Sequence, residues 1–351
     1  MISVTSDKKN SSNWLTAIRL FAASLVVISH GFAFIGLHEP VFLGRYSLGH
    51  TGVWIFFSIS GFLISKSWHA DPDIQRFLLR RSLRIFPALW LCVAATIFLL
   101  GPLVSTKSPA EYFMNAGTWR YLNNMVLYIT FQLPGVFETN PVKLAVNGSL
   151  WSLPAEFAMY MFVAFVGLST MKHWGWVFSA LAFLALANLW AFRTSEPLVV
   201  YATDVRQIVM CGSLFLVGVV IERFKLNRFM SWQATLLVSA LWWASTLVPD
   251  LLNLSTMIFL PWIALSIGLA PQNVFSRLDS HDYSYGLYLY AFPIQQAIVH
   301  FKWAKEPWAC IALAFLLIMP ITALSWHLLE KKLLKLKPKK RVATDAAAPR
   351  T

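Results

Sequence analysis

The chain has 351 residues, 57% of them apolar and only 13% charged, with a mean hydropathy of +0.59. Soluble domains are nearer 45–50% apolar and about 25% charged, so a water-soluble domain, a disordered chain and a fibrous repeat are all excluded. The net charge of +13 comes from short basic runs between long apolar stretches, not from a basic module. That pattern excludes nucleic acid as a partner and fits membrane orientation.

A bilayer core about 30 Å thick calls for about 20 mostly apolar residues per helix. Ten segments qualify, at roughly 15–37, 50–66, 85–104, 152–171, 174–192, 207–222, 232–248, 251–270, 283–301 and 307–328. The first contains Arg19 and His30 and lacks an A-x-A cleavage site, so it reads as a retained span and not a signal peptide. With the termini inside, 21 Lys and Arg fall on the cytoplasmic side and eight outside, as the positive-inside rule requires. The sequence therefore predicts an all-α integral membrane protein, a bundle of about ten transmembrane helices with both termini cytoplasmic. Residues 1–13 and 336–351 form cytoplasmic tails around a membrane domain at 14–335.

Ionisable groups within spans are costly and mark function. In the first span, Arg19 and His30 lie eleven residues apart in RLFAASLVVISH. That is about 20° from a shared azimuth and about 16.5 Å of helix, close to the reach of an extended pantetheine arm. The plainer alternatives are a snorkelling arginine and a histidine satisfied between helices. Ser58, Gly61 and Ser65 in the second span follow, at spacings that let two helices approach closely.

Arg80, Arg81 and Arg84 stand at the entrance to the third span. Spacings of three and four cluster their guanidinium forks, which match phosphate oxygens; an orientation signal is the alternative. The long polar connection at about 105–149 holds a weaker apolar stretch at 121–133, an expected interfacial or re-entrant helix. Glu156, after Pro154, falls near the outer end of the fourth span, at a depth like that of His30. Helix-dipole compensation would explain it; so would a carboxylate orienting the imidazole. Three single cysteines, Cys92, Cys211 and Cys310, lie in apolar stretches as packing residues, and no histidine has metal-ligand spacing, so no metal is expected. The tail EKKLLKLKPKKR at 330–341 is a basic juxtamembrane segment suited to orientation or to anionic lipid.

Taken in order, Arg19-x10-His30, GVWIFFSISGFLI at 52–64, RRSLRIFPALW at 80–90, NGSLWSLPAEF at 147–157 and YSYGLYLYAFP at 283–293 resemble the membrane acyltransferase 3 family. The resemblance covers roughly 14–335. It implies an acyl-CoA-dependent O-acyltransferase of the bacterial cytoplasmic membrane, acetyl-CoA being the common donor and a hydroxyl of an exported or lipid-linked glycan the acceptor. Acyl-CoA is then a co-substrate, with no permanently bound cofactor. By motif position the resemblance makes His30 catalytic and sets Arg19, Arg81 and Arg84, with neighbouring Arg80, at the donor. It puts Glu156 at the acidic position after LWSLP. Trp119, Tyr121 and Trp151 are candidate acceptor-stacking residues on the outer side. Two departures stand out: Trp54 replaces an acidic residue common in relatives, and Ala291 replaces a common histidine. The rival reading is a polytopic transporter or flippase for a glycan or acyl compound, against which stand the lack of internal repeats and of paired broken helices.

Overall fold

The computed structural model describes residues 12–169, 173–272 and 281–338. Most of the expected tails, 1–11 and 339–351, lie outside the described residues. Among the described residues the bundle has ten helices of 13 residues or more: α1 (Leu15–Phe34), α2 (Leu48–Ala70), α3 (Ile74–Val104), α4 (Gly148–Leu168), α5 (His173–Ala191), α6 (Val205–Arg223), α7 (Trp232–Ala244), α8 (Pro249–Leu269), α9 (Ser284–His300) and α10 (Pro307–Leu334). Eight are long and apolar enough to cross a bilayer. The segments expected at 232–248 and 283–301 are helical as well; α7 has 13 residues, short of a crossing length, and α9 has 17, at the lower end of the crossing range of about 17–25. Strands among the described residues are two-residue pairs, such as Val41–Phe42 with Tyr46–Ser47.

Local chemistry sets the helix ends. Ser47 caps α2 by accepting from the His50 amide, and Asp73 caps α3 by accepting from the Arg76 amide at 2.8 Å. Asp71, in the turn between them, accepts from Arg76 at 2.6 and 3.0 Å and from Arg80 at 2.7 Å. These hydrogen bonds from Arg76, and then from Arg80, hold the Asp71 carboxyl far below the usual carboxylate range. One carboxylate thus fixes the angle at which α3 leaves α2.

The two central helices are α1 and α2. α1 packs on α2, α8, α9 and α10, while α2 adds its closest contact with α6. The small residues at the α2–α6 seam explain that approach. A Cβ on Gly61 would lie 1.9 Å from the Phe215 carbonyl oxygen, and one on Gly218 would lie 2.4 Å from that of Ser58. Ser65 turns its hydroxyl to Glu222 at 2.8 Å across the same seam. Backbone meets backbone there, so neither helix can yield to a side chain.

The connection between α3 and α4 is folded onto the bundle end. The stretch at 121–133 is not a helix in the membrane plane: a 3-10 turn at Tyr121–Val126 ends at Leu127, whose φ is +64°. Asn124 then bonds the carbonyls of Tyr121 and Thr130, each at 2.9 Å, and the Thr130 amide at 3.0 Å. An amide side chain that satisfies three backbone groups substitutes for helical hydrogen bonds. Gln296 and Asn147 tie the segment to α9.

Two outcomes follow from this packing. Gly61→Val forces the α2–α6 seam apart and costs about 1–3 kcal/mol or more, read as a lowered melting temperature of the detergent-solubilised protein. Asp71→Asn lowers the melting temperature by a few degrees at neutral pH. Because the native carboxyl titrates below its unfolded value, the difference from wild type shrinks as pH falls below about 4.

Candidate active site

α1 carries Arg19 at the bundle end where the α2–α3 turn lies, and His30 towards the opposite end. The two side chains line two adjoining cavities. The larger, about 310 Å³, is lined by Arg19, Arg81, Arg84, Glu156, Asp282 and Lys337, together with an apolar face of α2 from Val53 to Ile64. Eleven residues of α2 correspond to about 16 Å, so this cavity runs along much of the helix. The smaller, about 50 Å³, is lined by His30, Glu39, Ser47, His50, Ser149 and Trp151. Val53 of α2 and Tyr288 of α9 line both. The Tyr288 hydroxyl is fixed by Ser152 at 2.6 Å and by the Ser149 carbonyl at 2.7 Å.

The wide end is a charge cluster. Asp282, just before α9, accepts from Arg19 and, at 2.6 Å, from Arg84, while Ser284 donates to its other oxygen at 2.6 Å. Burial opposes ionisation of Asp282, but the charges of Arg19 and Arg84 prevail and hold its carboxyl well below the ordinary range. Arg84 also lies 3.8 Å from Glu330 and over the rings of Tyr285 and Trp326. A π-helical turn at Trp326–Glu330 brings Glu330 and Trp326 to bear on it, and Tyr285 comes from α9. Arg81 is different. Its nearest polar partner is the Ser67 hydroxyl at 3.4 Å, and its buried Nε has no partner among the described residues.

Arg80 does not join this cluster. It is 5% exposed, bound to Asp71, and lines neither cavity. Helical spacing alone could not separate it from Arg81 and Arg84, because the deciding partner, Asp71, sits in a turn.

At the narrow end the His30 ring lies between Phe34 and Phe292, with centroids 5.7 and 5.0 Å away. Its Nδ1 is buried without a hydrogen-bond partner among the described residues. The carboxylate beside it is Glu39, returned by a turn at Gly36 (φ +82°) and accepting from Ser29 at 2.6 Å. Glu156 is elsewhere: it faces the larger cavity and accepts from Tyr160 at 2.5 Å and Ser60 at 3.2 Å. Sequence reasoning missed Glu39 because it lies outside any span; a lone acid nine residues past His30, beyond a glycine, was the available signal.

Of the aromatic residues expected on the outer side, Trp151 lines the small cavity, 6.3 Å from the His50 ring. Tyr121 is fully buried and offers no face for stacking, and Trp119 donates to the Phe113 carbonyl at 2.8 Å away from both cavities.

The geometry unites cations at one mouth with an imidazole and a carboxylate at the other. The sequence model of an acyltransferase domain matches residues 12–329. The chain is similar to an O-acetyl transferase of Shigella phage Sf6, 29% identical over 332 residues that cover 93% of this chain and 97% of that one. It is also similar to nodulation protein 10 of Rhizobium leguminosarum bv. viciae, 25% identical over 351 residues, with 91% and 92% covered. No solved structure matches it. With nearly its whole length matched and its helices long enough to cross a bilayer, the chain belongs to the acyltransferase 3 family of membrane proteins.

Proposed function

We propose that the protein transfers an acyl group, most simply acetyl, from cytoplasmic acyl-CoA to a hydroxyl of an exported or lipid-linked glycan. The observation that carries this reading is the pair of cavities meeting at Val53 and Tyr288, cationic at one mouth and bearing His30 at the other. The basic end faces the cytoplasm by the distribution of Lys and Arg. The donor enters there with its phosphates on the arginines, and its pantetheine arm lies along the apolar face of α2. The thioester then reaches the small cavity. A volume near 50 Å³ is one or two waters' worth, a fit for acetyl and a poor one for long acyl chains.

In the small cavity His30 takes the proton of the acceptor hydroxyl as its oxygen attacks the thioester carbon. Collapse breaks the C–S bond, forms the ester, and the proton passes from the imidazolium to the departing thiolate. The negative charge of Glu39 stabilises the imidazolium formed on the way. Trp151 gives the sugar an aromatic wall. This direct route needs no acyl-enzyme; an acyl-His30 intermediate would be trapped by donor in the absence of acceptor.

His30→Ala is expected to lower glycan acylation by about 10²–10⁴-fold while the protein is still made and inserted, measured by mass spectrometry of the glycan. Persistence of the ester at wild-type level would overturn the reading, and loss of glycan export with acylation intact would favour a transporter. Glu39→Gln is expected to lower kcat about tenfold or more, with donor affinity retained.

A further inference from the structure

The charges around the larger cavity are unevenly compensated. Arg19 and Arg84 share Asp282, and Arg84 has Glu330 in addition. Arg81 has no carboxylate within ion-pair distance among the described residues, and its buried Nε is unpartnered. Lys337 comes from beyond the end of α10, where the chain turns back through a Leu334 carbonyl bond at 3.3 Å, and it lines the same cavity. It likewise makes no ion pair among the described residues. Burial, and then the charges of Arg81, Arg84 and Arg80, pull its ammonium down to about 8, against the opposing effect of Asp282. Two cations held beside one another in a half-buried mouth repel, and a polyvalent anion between them relieves that repulsion.

We propose that Lys337 and Arg81 form a phosphate site at the basic mouth of the larger cavity, filled by a phosphate of the nucleotide part of the donor. The inference rests on the acyl-CoA reading above for its ligand, and on the charge arrangement alone for the site. It gives the C-terminal tail a binding role: the tail closes one wall of the cavity with an ammonium. Arg19 and Arg84 are partly compensated by the Asp282 they share, so among the arginines at the mouth Arg81, together with Lys337, is the most open to incoming charge. The same chemistry would suit the headgroup of an anionic lipid, and the two sources are separable.

The test uses the full chain in nanodiscs of phosphatidylcholine, with binding of inorganic pyrophosphate and of CoA measured by calorimetry. Lys337→Gln is expected to weaken both about tenfold or more, as loss of a charge-assisted hydrogen bond does, and Lys337→Arg to restore them. Lys337 follows the last helix, so its replacement leaves the bundle intact, and Arg81→Gln is expected to show the same losses. Unchanged CoA affinity in Lys337→Gln overturns the inference while leaving the acyl-CoA reading standing. Pyrophosphate binding that depends on Lys337 without any CoA binding sustains the phosphate site and overturns the acyl-CoA reading. Exclusion of both ligands by nanodiscs of phosphatidylglycerol, at a lipid fraction of about one half, assigns the site to lipid and overturns the donor phosphate.

Discussion

A charge placed in an apolar slab must be paired, hydrated or neutralised, and the single carboxylate of Asp282 meets that demand for two helices together. It joins Arg19 of α1 to Arg84 of α3 at the end of the bundle where the chain's basic residues gather. Remove that carboxylate and two guanidinium groups would face one another across a cavity. The cluster therefore fixes the width of the mouth as well as its charge. Four of the helices that line the larger cavity converge on it: α1 and α3 through their arginines, α9 through Asp282 at its start, and α10 through Glu330 and Trp326.

From that anchor the interior grades from charged to apolar to polar along one helix face. α2 supplies the apolar length and, because Gly61 and Gly218 let it lie directly on α6, its remaining face is free to line the cavity. Where α2 begins, Ser47 and His50 form one side of the small cavity and the chain returning from α1 supplies Glu39. The imidazole and carboxylate of the proposed mechanism thus come together near helix ends, where polar groups are already demanded by capping.

Much of this was legible in the residues. Long apolar runs gave the helices, since a bilayer leaves the backbone little choice but to bond within itself. The Arg19–His30 spacing predicts two side chains facing a shared cavity; an α-helix keeps their azimuth close, but the fold puts them in two separate cavities that have Val53 and Tyr288 in common. What the sequence could not convey was pairing between elements far apart in the chain. Arg80 and Arg81 are neighbours with opposite fates, decided by Asp71 in a turn and by an open cavity. Glu156 reads as a partner for His30 until the fold shows Tyr160 and Ser60 holding it in the larger space. Glu39, in an irregular return loop, has no periodicity to betray it.

The shared wall of Val53 and Tyr288 has a consequence for the energetics of the cell. A file of water running from one face of a bilayer to the other would conduct protons and dissipate the gradient that powers export. An aliphatic side chain beside a hydroxyl already committed to Ser152 and Ser149 offers such a file few places to bond. On the proposed acyl-CoA reading a thioester would pass that point, so the two side chains that admit the chemical group would also have to interrupt a continuous file of water.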